Sequence, residues 1–203
     1  LTRLPRDRFR HLYVGTDIAD VPPAKVPPKP SGSFLVHWHG HYAKFHGAEV
    51  IVRAAKLLER TPAHFRLIGR GVGYAAVAQL ARELQSSNLT FTSDVDYPTL
   101  AGYLRQADVA LGVFGGGQAR PVIPNKVVEA MALGKPVIST RLPAMDELLT
   151  AEVHIAYCRP DDPEHLAERI EELRANPGTR EQLGRSAWQL FSDRLAPLVI
   201  ADE

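Results

Sequence analysis

The sequence predicts an α/β domain with a doubly wound parallel sheet of about six strands and helices on both faces. From Ser33 onward, short apolar runs alternate with amphipathic helical patterns, which is typical of strand–helix–strand units. Right-handed crossovers in such units place helices on both faces of the sheet. The glycine-rich and polar loops follow apolar runs, so the rim at the carboxyl ends of the strands is the predicted ligand site. We therefore expect a Rossmann-like domain.

Each element follows from a local pattern. Short apolar runs bounded by glycine, proline or polar residues are predicted strands, at 34–38, 64–68, 89–91, 108–114, 136–139 and 153–157. Segments with apolar residues at helical spacing are predicted helices, at 48–58, 74–84, 99–106, 143–149, 163–175 and 180–192. A further short helix is predicted between Asn125 and Gly134, because asparagine suits an N-cap and glycine a C-terminal cap.

The first 33 residues lack helical or strand periodicity, apart from a short apolar piece. Residues 21–30 are too proline-rich for a helix or a central strand and are predicted to form a semi-rigid connector. We therefore assign 1–32 to the end of a preceding domain and a linker, and 33–203 to the domain that contains the sheet. The chain begins with neither methionine nor the apolar region of a signal peptide, and we expect it to be a piece of a longer protein.

Composition excludes several classes of protein. The net charge of +1 implies no general attraction to nucleic acid or membranes. The single cysteine, Cys158, rules out an intramolecular disulfide and agrees with a reducing, cytoplasmic compartment. No apolar run approaches the roughly 20 residues needed to span a bilayer. The nucleophile motif of hydrolases, the Cys-x-x-Cys pair of zinc ribbons and the P-loop of NTPases are all missing from the sequence.

The predicted helix after Asn125 carries the most specific chemistry. The amides of Lys126 and Val127 in its first turn, the helix dipole and the Lys126 charge suit a phosphate, and Arg120 would add a second charge. Glu129 would repel phosphate but can accept hydrogen bonds from vicinal hydroxyls, such as those of a ribose. The stretch therefore indicates a sugar nucleotide held by its pyrophosphate and ribose. The alternative is a capped amphipathic helix between two strands.

A histidine cluster near the first strand admits two interpretations. His37, His39 and His41 alternate along the chain, so they could face the same side of a strand and hold zinc. However, Gly40 turns the backbone before the third. The alternative is that these side chains donate to an anion or pack in the core.

Two other loops carry candidate residues. The glycine pattern at 69–73 follows a strand but is not a full dinucleotide fingerprint, so it predicts a tight turn that lets a ligand or helix approach. Arg70 is either a phosphate contact or a solvated side chain. Asp94 and Asp96 match the Asp-x-Asp pattern of some metal sites, but turn chemistry explains them equally well.

Together these segments resemble the carboxyl-terminal, donor-binding domain of GT-B-fold glycosyltransferases, in the large retaining group called glycosyltransferase family four. The resemblance extends from about Val14 to nearly the end of the chain. Its most specific motif is residues 125–138, NKVVEAMALGKPVI. The other matching segments keep the order and spacing of the family and lie at 14–17, 40–47, 67–71 and 91–95.

The resemblance implies roles for individual residues. Lys126 and Arg120 would stabilise the charge that develops on the leaving nucleoside diphosphate, and Glu129 would bind the ribose. The remaining donor-binding residues would approach the phosphates, line the cleft or border the base, and they are Gly40, His41, His46, Gly69, Arg70, Asp94, Val95, Asn125 and Val127.

The sequence departs from the family pattern in three places. Pro121 stands where the family usually has a first glutamate, eight residues before the second. His41 and His46 replace the usual basic pair of the loop after the first strand. A glycine-rich segment, 114–120, precedes the motif instead of the common Ser/Pro segment. A subset of these enzymes shares a Phe-Gly turn followed by Val-Ile-Pro-Asn-Lys, so the departures resemble subfamily features.

By this resemblance, the full-length protein would transfer a sugar from a nucleotide diphosphate-sugar to an acceptor with retention, without a metal or other cofactor. A missing amino-terminal domain would supply the acceptor site and any contact with a membrane, so this chain alone is expected to be inactive. Two alternatives stay open. One is a non-catalytic module that binds a nucleotide sugar or scaffolds a partner, which the loss of the first glutamate favours. The other is a GT-B sugar-nucleotide epimerase with the same donor site.

Overall fold

The structure, a computed structural model, describes residues 13–116 and 122–201, and its centre is a single sheet of six strands. The strands are β1 (Phe34–His39), β2 (Ala63–Ile68), β3 (Leu89–Thr92), β4 (Val109–Leu111), β5 (Val137–Thr140) and β6 (Ala156–Cys158). They are ordered β3-β2-β1-β4-β5-β6, and every neighbouring pair runs parallel. The predicted doubly wound α/β fold is confirmed.

The strand order reverses beside β1. The chain moves outward from β1 through β2 to β3 and then returns to the other side of β1 as β4. At such a switch point the connections leave towards opposite faces of the sheet, so a crevice opens beyond the carboxyl ends of the two central strands.

Helices cover both faces of the sheet. They are α1 (Ala48–Leu57), α2 (Tyr74–Glu83), α3 (Tyr97–Arg105), α4 (Asn125–Ala132), α5 (Pro163–Ala175), α6 (Pro177–Arg194) and α7 (Pro197–Ala201). One core lies under α1, α2 and α5, and a second lies under α3, α4 and most of α6. No helix in the described part of the chain is both long and apolar enough to cross a membrane.

The alternation of β1 decides which of its side chains reach the crevice. Trp38 is fully buried in the first core, and its Nε1–H donates to the carbonyl of Gly112 at 3.1 Å. His37 and His39 stand on the opposite face because side chains alternate along a strand. His37 is fully buried, while His39, at the end of the strand, lines the crevice.

Some predicted boundaries are wrong. The sixth strand was expected at 153–157 but spans Ala156–Cys158, because residues before it form a turn in which His154 N–H donates to the carbonyl of Thr150 at 2.9 Å. The segment expected as a helix at 143–149 holds only a 3-10 turn, Pro143–Met145. Helix α6 begins at Pro177, where proline suits the first turn, and α7 was not predicted.

The proline-rich segment packs along α3. The amide of Ala24 donates to Pro98 O and the Gln106 side chain donates to Pro27 O, each at 3.0 Å. Lys29 reaches Asp108 at 2.5 Å. Residues 13–33 contain no helix or strand within the described part. Their assignment to a preceding domain and linker stays a prediction.

Candidate functional site

A cavity of about 480 Å³ opens at the carboxyl ends of β1 and β4. The loops that follow β1, β4 and β5 form three sides of it, and the first two turns of α4 form the fourth. The structure brings together at this cavity six of the predicted residues: Gly40, His41, His46, Asn125, Lys126 and Glu129. This is the rim at which ligands bind in open α/β sheets.

The start of α4 differs from the prediction by one residue. Pro124 is the N-cap, with extended backbone, and Asn125 is the first helical residue, so Asn125 is not the side-chain cap that the sequence predicts. The amide of Val127 donates to the carbonyl of Pro124 at 2.9 Å. Val127 therefore offers no free amide to a phosphate, which corrects its predicted role. The amides of Asn125 and Lys126 come before this first intrahelical bond.

Lys126 is a buried cation at the wall of the cavity. Only 7% of the residue is exposed, and its Nζ has no hydrogen-bond partner among the residues that the structure describes. The Nζ lies 4.3 Å from the centre of the Trp38 ring, which is a cation–π distance. Burial lowers the pKa of Lys126 to about 7, and the nearby Glu129 carboxylate opposes this shift only in part. An anionic ligand would supply the partner that this ammonium lacks.

Gly40 makes room for the lysine head. Its φ of +143° is a conformation that side chains rarely allow, and a Cβ at this position would lie 2.8 Å from Lys126 Nζ. Gly69, at the end of β2, is in turn packed against Gly40, because a Cβ there would lie 2.0 Å from the Gly40 carbonyl oxygen. These two glycines set the close approach of the strand ends that places Lys126.

Glu129 is held by two side chains that the sequence did not single out as its partners. His39 Nε2 lies 2.7 Å from Glu129 Oε2, and the Tyr97 hydroxyl donates to Glu129 Oε1 at 3.3 Å. The Tyr97 hydroxyl also lies 2.6 Å from Thr16 Oγ1. The signal for His39 was its alternation with His37 on β1. No local pattern predicts these contacts, since Tyr97 reaches Glu129 across 32 residues of sequence and Thr16 reaches Tyr97 across 81.

The histidines of β1 and its following loop do not converge on one point in the described structure. His37 Nε2 and His39 Nδ1 lie 3.1 Å apart and share one hydrogen bond, while His41 lies in the loop beyond Gly40. His46 donates from Nδ1 to the carbonyl of His41. Within the described residues, no group of three or more His, Cys, Asp or Glu side chains is arranged to hold a metal ion. The core and loop interpretation of the histidines fits this arrangement.

The remaining predicted residues lie outside the cavity. Arg70 and Asp94 form an ion pair with 2.5 Å between Nε and Oδ2, and both side chains are largely exposed at the rim beyond β2 and β3. Val95 follows in the same loop, and Asp96 caps α3 by accepting from the amide of Thr99. The charge of Arg70 is therefore already paired, and the Asp-x-Asp pattern is explained by an ion pair and a helix cap.

Arg120, predicted as the second cation, lies outside the described residues, as does Pro121. Val122, the next described residue, lines the cavity. The role assigned to Arg120 stays a prediction.

Comparison with known proteins agrees with this architecture. Residues 33–176 match the family model described as Glycosyl transferases group 1. The lipopolysaccharide core biosynthesis glycosyltransferase LpsD of Rhizobium meliloti (strain 1021) is 27% identical over 175 residues, which are 85% of this chain and 48% of that protein. The chain spans less than half the length of the curated relatives it matches.

Solved structures share the fold. Anabaena Alr3699/HepE in complex with UDP-glucose superposes with a TM-score of 0.78 at 18% identity, over 94% of this chain and 54% of that one. The C-terminal domain of the glycosyl transferase group 1 family protein LpcC from Francisella tularensis gives a TM-score of 0.70 at 17% identity, over 90% of this chain and 100% of that one. At these identities the likeness shows the fold, a Rossmann-like half of a GT-B architecture. The family model matches well over half of the 203 residues of this chain, and the chain therefore belongs to the glycosyl transferases group 1 family.

Proposed function

We propose that this chain is the donor-binding domain of a retaining glycosyltransferase that takes its sugar from a nucleotide diphosphate-sugar. One observation carries the proposal. Helix α4 presents two charged side chains to the same cavity. Lys126 is a buried ammonium that has no hydrogen-bond partner among the described residues, and Glu129 is a carboxylate fixed by His39. A nucleotide sugar carries an anionic pyrophosphate and a neutral vicinal diol next to each other, which matches one cation and one acceptor.

Lys126 would bind the diphosphate and stabilise the negative charge that grows on it as the glycosidic bond breaks. The amides of Asn125 and Lys126 at the positive end of α4 would add to this field. Arg120 is the proposed second cation, and His41 and His46 would line the phosphate side of the cavity. Protein donors rather than a metal ion would thus carry the charge, and one preorganised donor of this kind contributes about 2.7–4 kcal/mol to transition-state stabilisation.

Glu129 would accept hydrogen bonds from the ribose hydroxyls. The base would extend from the ribose towards the ends of β2 and β3, where the bordering residues would be Gly69, Arg70, Asp94 and Val95. The Arg70–Asp94 ion pair at that rim would then shape the edge of the base site rather than bind phosphate.

The family and two structures of one structural neighbour support this assignment. Alr3699/HepE, a structural neighbour, was crystallised with UDP and with UDP-glucose. Transfer itself would need an acceptor site from an amino-terminal domain facing this rim, so we expect the 203-residue chain to bind donor without turning it over. The intact enzyme would act in the cytoplasm, with any membrane contact made by that other domain.

The test is a calorimetric titration of the chain with UDP, GDP and ADP, with and without magnesium. Saturable binding of one diphosphate that is independent of magnesium is expected. Glu129→Gln should weaken it, because a neutral amide accepts more weakly than a carboxylate. Glu83→Gln on α2, outside the cavity, is the matched control and should bind as the wild type does.

Three outcomes would redirect the assignment. Unchanged affinity in Glu129→Gln would refute the ribose role. If the intact protein binds a nucleotide sugar but transfers nothing to any acceptor, the chain is a binding module. Interconversion of nucleotide sugars by the intact protein without an acceptor would identify an epimerase instead.

A further inference from the structure

Side chains from two different secondary-structure elements bind the Glu129 carboxylate. His39 reaches one oxygen from the end of β1 at 2.7 Å, and Tyr97 reaches the other from the first turn of α3 at 3.3 Å. The His39 and Glu129 side chains are 11% and 13% exposed, so this contact is nearly dry. A second hydrogen bond at 2.6 Å ties the Tyr97 hydroxyl to Thr16. The plane of the carboxylate is therefore fixed before any ligand arrives.

The hydrogen bonds of this network all point one way, with His37 donating to His39 and His39 donating to Glu129. His37 is fully buried, and burial lowers its pKa well below the ordinary value, so it is neutral and carries one ring proton. Its Nδ1 has no partner among the described residues, whereas its Nε2 faces His39 Nδ1 at 3.1 Å. A proton on Nε2 satisfies the contact, while a proton on Nδ1 would leave a buried donor unpaired, which is costly.

This tautomer determines the next one. With His37 Nε2–H donating, His39 Nδ1 is an acceptor, so the ring proton of His39 sits on Nε2. From there it donates to Glu129 Oε2. The chain His37 to His39 to Glu129 thus delivers one N–H to the carboxylate in a set orientation. Each carboxylate oxygen has about two acceptor sites, so one on each oxygen is left for a ligand.

We propose that His39 is a positioning residue for diol recognition: it orients Glu129 so that both carboxylate oxygens face the two hydroxyls of a bound ribose. This inference rests on the proposed function and deepens it. Tyr97 has the same role on the second oxygen, through a longer and weaker contact. In this role His39 need not touch the nucleotide. It acts through the carboxylate, with His37 holding its ring in the productive tautomer.

The test separates positioning from a merely structural role by measuring selectivity. The chain is titrated with UDP and with 2′-deoxy-UDP, and the ratio of the two dissociation constants is compared among variants. The wild type should prefer UDP by about tenfold or more, as expected for a hydrogen bond to a charged group. His39→Leu should bring the ratio to within about twofold of one. Tyr97→Phe should lower it less, because its bond is longer.

Conservative variants and a control complete the design. His39→Gln places an amide N–H near the former Nε2 and should keep most of the selectivity. His39→Asn is too short to reach and should lose it, which provides a second test if His39→Leu folds poorly. His64→Leu removes a histidine from β2 that bonds Thr90 outside the cavity, and it should leave the ratio unchanged. If UDP does not bind but GDP or ADP does, the same comparison uses that nucleotide and its 2′-deoxy form.

The outcomes distinguish this inference from the proposed function. Failure of the wild type to bind any of the three diphosphates would overturn the proposed function and this inference together. Binding without preference for the ribo form would overturn the role of Glu129 and His39 alone. A His39→Leu variant that binds both nucleotides more weakly, with the wild-type ratio preserved, would show that His39 merely supports the fold.

Discussion

Replacing Lys126 with methionine should weaken binding of the nucleoside diphosphate and abolish its dependence on pH. Only 7% of Lys126 is exposed, and its Nζ has no hydrogen-bond partner among the described residues. Methionine keeps an unbranched chain against the Trp38 ring and introduces no unpaired polar atom. The fold should therefore survive, and the loss of affinity should report the missing charge.

The size of the effect follows from the missing contact. One hydrogen bond to a charged group contributes about 1.5–3 kcal/mol, which corresponds to a dissociation constant raised about 10- to 150-fold. Burial lowers the pKa of Lys126 to about 7, so at pH 8 only about one molecule in ten carries the charge. The ligand favours the charged form, and binding at pH 8 should therefore take up a large fraction of one proton per site.

Calorimetry measures both quantities. Titrations at pH 8 in two buffers with different ionisation enthalpies give the affinity and the number of protons taken up. The terminal phosphate of UDP, with a pKa of about 6, is fully ionised at that pH and contributes little uptake of its own. Wild-type affinity should fall as the pH rises from 7 to 9, while Lys126→Met should show neither the fall nor the uptake.

Lys135→Met is the matched control. Lys135 Nζ donates to the carbonyls of Arg105 and Ala107, at 2.6 and 3.0 Å, and it does not line the cavity. It should retain wild-type affinity and proton uptake. If both variants lose affinity equally, or if Lys126→Met still takes up a proton, Lys126 is not the diphosphate ligand.

Three further predictions concern stability. Because the folded pKa of Lys126 is about 7 and its ordinary value is 10.5, the unfolded chain binds more protons in this window. The free energy of unfolding should therefore rise between pH 7 and about 10 in the wild type, and less so in Lys126→Met, in urea titrations. Gly40→Ala should cost more than about 1 kcal/mol, because alanine tolerates its positive φ poorly. It should also weaken diphosphate binding by displacing Lys126 Nζ, and normal affinity would contradict this. Asp108→Ala should cost about 1–3 kcal/mol, since Asp108 accepts from the amide of Leu35 at 2.7 Å. Lys29→Met removes only the partly exposed ion pair with Asp108 and should cost less than about 1 kcal/mol. If Asp108→Ala and Lys29→Met lower the free energy of unfolding equally, the bond from Asp108 to the Leu35 amide does not explain the loss.

The fold could be predicted because its signals are local. A buried strand such as β1 is predicted from a short, mostly apolar run. Helix α4 is predicted from the helical spacing of its apolar residues and from the glycine that follows it. Boundaries failed where a local pattern has two outcomes. Val153 and Ile155 alternate as in a strand, yet Ile155 forms only an isolated bridge with Ala151, and β6 begins one residue later.

The candidate site was predicted only as far as single residues reveal their chemistry. Lys126 and Glu129 stand in a recognisable motif, so both were identified. Their environment was not visible in the sequence, because it depends on contacts between distant parts of the chain. His39 lies 90 residues from Glu129 in sequence, and Tyr97 lies 32 residues from it. The sequence also could not show that the Val127 amide donates to the carbonyl of Pro124 at the start of the helix.

The network around Glu129 also accounts for the availability of Lys126. A lysine and a glutamate three residues apart on a helix are close enough to pair, and such a pair would neutralise the cation that we propose binds phosphate. In this helix the two oxygens of Glu129 bind His39 and Tyr97 instead, and Lys126 Nζ lies over Trp38 without a described hydrogen-bond partner. The same contacts that fix the carboxylate thus keep it from the lysine. One helix can therefore present opposite charges to one cavity, because Trp38 packs against the lysine while His39 and Tyr97 hold the glutamate.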